Sequence, residues 1–155
     1  MERINLHVGE RLAKSEHNYI TGDIYFQADA NFFPAENYND FPAIILSWWI
    51  KEIYRLCYSN ECELLFMDDP YLIEVEKIDS DLLRMKYCRT TWNQSQQKEQ
   101  KVIEYENLVS KKRLVHVVLG ASNKLLMELE KSGWSNAVNV QKLKDTVEKY
   151  SILIK

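Results

Sequence analysis

Glycine and proline are scarce, four and three in 155 residues, and the glycines (Gly9, Gly22, Gly120, Gly133) are dispersed. That excludes a phosphate-cradling glycine loop and any collagen-like or linker-rich organisation. Cysteine is equally sparse. Cys57, Cys62 and Cys88 are odd in number, irregularly spaced and lack a Cys-x-x-Cys pair. They read as free thiols in a reducing cytosol and not as a disulfide framework or a zinc site. No window approaches ~18 uninterrupted apolar residues, so no membrane span is expected. The start, Met1-Glu2-Arg3-Ile4-Asn5-Leu6-His7, has no cationic stretch followed by an apolar core, so no secretory leader is expected either. A surplus of positive charge is also missing. Twenty Lys and Arg face 23 Asp and Glu, a net charge of -3, which excludes a protein-wide cationic field for nucleic acid. The chain lacks a His-x-x-x-His pair, a His-Glu-x-x-His zinc motif and a Gly-x-Ser-x-Gly nucleophile elbow. The histidines (His7, His17 and His116) read as surface or structural groups. No catalytic residue, metal ligand or cofactor is therefore assigned.

What is present is ordinary globular material, 46% hydrophobic and 28% charged, enough for one domain over residues 1–155. Ile4, Leu6 and Val8 alternate with polar residues, the period of a half-buried strand. Ile20 to Ala28 reads as its return strand, and Ala30 to Pro34 as a short further one. Asn39 or Asp40 can cap a helix with Pro42 in its first turn. Phe41, Ile44, Ile45, Trp48, Trp49, Ile53 and Leu56 carry that helix to about Tyr58, and Leu46, Ile50 and Tyr54 widen its apolar arc into a central core helix. Glu63 to Met67 and Tyr71 to Lys77 predict a hairpin around Asp68-Asp69-Pro70. Leu82 to Thr91 extends it to a meander, Lys101 to Tyr105 suits a fourth strand, and the polar stretch Asn93 to Gln100 suits a solvated loop. From Leu108 the period becomes helical through Leu129, with Gly133 as a C-terminal cap. Ser110-Lys111-Lys112-Arg113 opens that helix as a solvated basic turn or a phosphate contact. A final short helix runs from Val140 to near Tyr150, and periodicity leaves Ile152-Leu153-Ile154 open between core docking and an edge strand. The fold class is α+β, an antiparallel sheet (hairpin plus meander) packed against a central apolar helix and C-terminal helices.

Charge is unevenly placed. Residues 60–81 hold eight acids (Glu61, Glu63, Asp68, Asp69, Glu74, Glu76, Asp79 and Asp81) and a single base, Lys77. Pairing Phe66 with Ile73 and Leu64 with Val75 puts the apolar residues on one face and sets Glu63 opposite Glu76, with Leu65 beside Glu74. Like charges directly across an antiparallel pair are destabilising. An outward face mixing Glu63, Glu74 and Glu76 with Leu65, Met67 and Leu72 has the make-up of a partner-binding patch. The partner-binding residues are taken as Glu61, Glu63, Met67, Asp68, Asp69, Leu72, Glu74, Glu76, Asp79 and Asp81. The same composition also describes a solvated acidic face neutralised by Arg84, Lys86 and Arg89 of the next strand. Drawn as a cation site, Asp68, Asp69, Glu74 and Glu76 lack calcium-loop spacing. Trp92 and Trp134, outside the periodic apolar faces, read as core filling or exposed anchors.

Phe33-Pro34, then Tyr38-Asn39-Asp40-Phe41-Pro42-Ala43-Ile44-Ile45-Leu46-Ser47-Trp48-Trp49-Ile50, followed by Leu65-Phe66-Met67-Asp68-Asp69-Pro70-Tyr71, resembles immunity proteins encoded beside bacterial polymorphic or contact-dependent growth inhibition toxins. The similarity covers roughly residues 30–75 and rests on a capped helix, its tryptophans and a turn, so it carries over no active-site residue. It implies a small cytoplasmic antitoxin, monomer or homodimer. Such a protein binds a basic toxin domain, for instance a nuclease, and needs no cofactor, nucleic acid or membrane. Two other expectations stand beside it: a self-associating or regulatory binding module, and an enzyme joining His7 or His116 to carboxylates in a pocket.

Overall fold

The computed structural model describes residues 3–67 and 70–155. It is α+β, with two antiparallel sheets and three helices packed together. The first sheet is built on the long strand β3 (Ile20–Ala28). Strand β1 (Ile4–Val8) pairs with it from Ile4↔Ala28 to Val8↔Ile24, and three short strands, β2 (Ala13–Lys14), β4 (Asn31–Phe33) and β5 (Asn39–Asp40), pair with other parts of it. The second sheet is a meander in the order β6 (Glu61–Leu65), β7 (Tyr71–Lys77), β8 (Leu82–Asn93), β9 (Lys98–Ser110). The helices are α1 (Pro42–Arg55), α2 (Lys111–Lys131) and α3 (Val140–Ile154).

Helix α1 is the central element its apolar arc predicts. Ile45, Leu46, Trp49, Ile50 and Ile53 have no exposed surface. An aromatic cluster at its side joins both sheets. Trp49 stacks on Phe26 of β3 at 5.4 Å and meets Phe66 edge-on at 5.2 Å, while Phe26 and Phe33 reach Tyr87 of β8 at 6.3 and 5.3 Å. Edge-to-face and offset pairs at such separations add to the area they bury. The helix stops at Arg55, before the expected Tyr58. Asp40 does not cap it as expected. Its carboxylate is buried and accepts the N–H of Phe41 at 2.9 Å and that of Met67 at 3.1 Å, tying the helix entry to the end of β6.

Three other boundaries differ from the sequence reading. The polar loop shrinks to the turn Gln94 to Gln97, and its flanks continue β8 and β9, which pair out to Asn93↔Lys98. Leu108 closes β9 instead of opening α2, and Ser110 caps the helix, its hydroxyl accepting the Arg113 N–H at 3.0 Å. The basic turn is partly structural, since the Arg113 guanidinium donates to the Ile4 carbonyl and the Asn5 side chain of β1. Ile152 to Ile154 finish α3, with Ile154 buried against the core. Gly133, at φ +74°, ends α2 as its position predicts. Among the described residues no helix is long and apolar enough to cross a membrane.

Candidate partner-binding face

Strict alternation along β6 and β7 turns Cys62, Leu64, Ile73 and Val75 into the core and Glu61, Glu63, Glu74 and Glu76 outward. The expected faces hold, but the register is displaced by two residues. Leu64 pairs with Ile73, not Val75, and Glu63 lies opposite Glu74, not Glu76, with Glu61 opposite Glu76. A shift of two preserves which side each residue faces, which is why the apolar pattern could not detect it. The consequence is two complete like-charge rungs in place of one.

Reading across all four strands, the outward face is a set of rungs. Glu61, Glu76, Arg84 and Leu108 form one, Glu63, Glu74, Lys86 and Glu106 the next, and Leu65, Leu72, Cys88 and Ile103 a third. The third is an apolar seam on an otherwise charged surface. It corrects the placement of Leu72, which sits between Leu65 and Cys88 and is only 7% exposed, so it is not a free contact. Leu65 and Ile103, at the flanks of the seam, are about half exposed instead.

Lysine partners neutralise the carboxylates incompletely. Arg84 and Lys86 both approach Glu76, at 3.4 and 3.7 Å. Lys101 of β9 stands one rung beyond the seam, yet its ammonium lies 3.8 Å from Glu63 and 3.7 Å from Glu74. Its aliphatic stem must therefore cross the seam, covering apolar surface while the charge stays wet. Arg89, expected to help, pairs with Glu104 at 2.7 Å. Helix α1 adds a fifth carboxylate, Glu52, which accepts the Glu63 N–H at 3.2 Å and pairs with Arg55. Together these side chains line an open groove of 520 Å³ with five glutamates against Arg55, Lys86 and Lys101. A shallower depression of 350 Å³ adjoins it, floored by Trp48 and Leu65 and edged by Lys51, Glu52 and Glu63. Glu52, Lys101 and Trp48 line these depressions but lie outside the acidic segment, whose composition does not point to them.

Of the remaining expected residues, Met67, Asp79 and Asp81 do not line the groove. Met67 is exposed where β6 ends, Asp68 and Asp69 lie outside the described residues, and Asp79 and Asp81 sit in the turn between β7 and β8, where the Asp79 carboxylate accepts the N–H groups of Asp81 and Leu82. No group of three or more His, Cys, Asp or Glu among the described residues has the geometry of a metal site. His7 stacks on Tyr25 at 4.7 Å and bonds Gln27, and it does not line the acidic groove. The two buried thiols beside the groove are held protonated. Burial, reinforced by the charge of Glu52, pushes Cys62 up to about 12, and burial with the neighbouring Glu74 pushes Cys88 up to about 11. Neither has the thiolate character of a nucleophile at neutral pH.

Compared with known proteins, the chain matches no family model, no curated sequence and no solved structure.

Proposed function

We propose that this chain is an immunity protein that binds one copy of a basic toxin domain, such as a nuclease, and neutralises it by covering an essential surface. The observation that carries this reading is the pair of rungs Glu61↔Glu76 and Glu63↔Glu74, set in a groove with more carboxylates than cations. Folding alone disfavours like charges directly opposite each other. A partner presenting lysines or arginines would relieve that repulsion, and complementary charge would speed encounter and fix the docking register. The adjoining Trp48 and Leu65 supply an apolar shelf of the kind that carries affinity at interface centres. The resemblance over residues 30–75 supports the class of partner, and binding of this kind takes place in the cytosol of the toxin-producing cell without a cofactor.

The test is to express the chain with the toxin domain encoded beside its gene and titrate toxin activity against immunity protein. Inhibition should saturate at one molar equivalent. The triple charge reversal Glu63→Lys, Glu74→Lys and Glu76→Lys should weaken the complex by at least about tenfold, mostly through slower association, with the circular dichroism spectrum unchanged. Undiminished affinity would remove this face from the interface, and absence of any complex would overturn the immunity reading itself.

A further inference from the structure

Trp92 has no part in the acidic groove. It sits where the ribbon of β8 and β9 outruns the rest of the second sheet. Strand β7 stops pairing at Tyr71↔Arg89, and its side supplies one further main-chain bond, from the Thr90 N–H to the Pro70 carbonyl at 2.8 Å. Past that point β8 and β9 pair only with each other, as far as Asn93↔Lys98. Every residue from Thr91 to Gln100 is polar except Trp92, which is 53% exposed. Two strands alone are marginally stable in water, and here polar side chains hold the turn. The Asn93 amide donates to the Gln100 side chain at 2.8 Å and accepts from the Ser95 hydroxyl at 2.8 Å and the Gln96 N–H at 3.1 Å.

Alternation sets the face on which the indole stands. Arg84, Lys86 and Cys88 of β8 point outward with the carboxylates of β7, so Thr90 and Trp92 follow them, opposite Lys101 and Glu99 of β9. The Lys101 ammonium, reaching Glu63 and Glu74, shows that this side of the ribbon is continuous with the groove. Glu99 is exposed and makes no ion pair among the described residues, so a carboxylate without a counter-charge stands directly across from the indole. We infer that Trp92 and Glu99 form a second contact point for the domain that docks in the groove, and that they take one of its arginine or lysine side chains. The inference rests on the proposed function for the identity of that partner. The cation lies on the indole face, the aromatic surface that attracts it best, and Glu99 meets its charge. A groove of five glutamates against Arg55, Lys86 and Lys101 already calls for a basic partner. Trp92 is six residues along β8 from Lys86 in the groove wall, about 20 Å. An interface of standard size is about 30 Å across, so one domain covers both. Leu65 and Ile103, half exposed, fill the interval with apolar surface.

Calorimetric titration of the whole chain with the toxin domain encoded beside its gene, paired with binding kinetics, tests this. Trp92→Ala should weaken the complex at least about tenfold. The loss should come through faster dissociation, because a short-range contact acts after encounter. Trp92→Phe, which keeps a ring with a weaker hold on cations, should recover part of that loss. Glu99→Gln should weaken binding several-fold. Trp92→Ala combined with Glu99→Gln should lose clearly less than the product of the two separate fold-changes, because both residues grip one side chain. All these variants should keep the wild-type circular dichroism spectrum. Undiminished affinity in Trp92→Ala, or a double variant whose loss equals that product, overturns the inference. If the triple reversal at Glu63, Glu74 and Glu76 still weakens the complex in that case, the immunity reading stands without this contact. Absence of any complex overturns both.

Discussion

Asn107 lies on the inward face of β9 opposite Met85, 5% exposed, and neither its side-chain oxygen nor its nitrogen has a hydrogen-bond partner among the described residues. A buried polar group without a partner costs about 1–3 kcal/mol relative to one that is satisfied or absent. Asn107→Leu, with the same number of side-chain heavy atoms, should therefore raise stability by about 1–3 kcal/mol, or roughly 2–4 °C per kcal/mol in thermal midpoint for a chain of this size. A lowered midpoint in calorimetry would show that the site cannot accept the branched side chain. Cys62 gives a pH signature at the same scale. Its thiol is pushed from 9.0 to about 12 by burial and then by Glu52, so it stays protonated in the folded chain while the unfolded chain has begun to lose its proton. The group's contribution is intact below pH 9 and declines as pH climbs from 9 towards 12. Denaturant midpoints measured across that window should fall more steeply for the wild type than for Cys62→Ala. Parallel slopes would mean that the thiol ionises equally in both states.

At the scale of elements, helix α1 does more than fill the core. Strand β6 is an edge of the second sheet, and exposed edges invite pairing with other chains. Two side chains of α1 close this one. The Trp49 indole N–H donates to the Leu65 carbonyl at 2.7 Å, and Glu52 accepts the Glu63 N–H at 3.2 Å. Trp49→Phe keeps an aromatic ring but leaves that carbonyl without its donor. It should cost about 1–3 kcal/mol and speed hydrogen exchange in β6 more than in β7. Uniform exchange across both strands would argue that Trp49 acts only through packing. The elements also show which parts of the fold the chain announces. Helices α1 and α2 and strands β1 and β3 were legible because each buries one face and so imposes a period on its residues. The flanks of the β8–β9 turn were not. Glu99 and Gln100 are exposed, strand-forming only because the opposite strand holds them, and such residues leave no apolar trace. The hairpin register failed for a related reason. Alternation selects a face, whereas the pairing partner depends on turn geometry. The acidic site was legible as a segment, but its true members Glu52 and Lys101 come from α1 and β9, which only the tertiary arrangement brings to β6 and β7.

Across the whole molecule, the net charge of -3 conceals a separation. Carboxylates gather on the outward face of β6 and β7, and β8 and β9 supply the cations that partly answer them. These pairs are well exposed and individually worth little, about 0–1 kcal/mol, so they are exchangeable for a partner's charges at small cost. Lys101 is the clearest case, since one ammonium lies within 4 Å of carboxylates on two different strands and occupies the place a toxin's lysine or arginine would take under the proposed function. Removing it should strengthen binding. Lys101→Gln should raise the association rate for the toxin domain several-fold, and the advantage should shrink as added salt shortens the screening length below about 8 Å. Lys142→Gln, which changes the net charge equally from exposed α3, separates this local effect from bulk electrostatics. A matching gain in both variants would mean that only overall charge matters, whereas a gain confined to Lys101→Gln would place the partner's cation between Glu63 and Glu74.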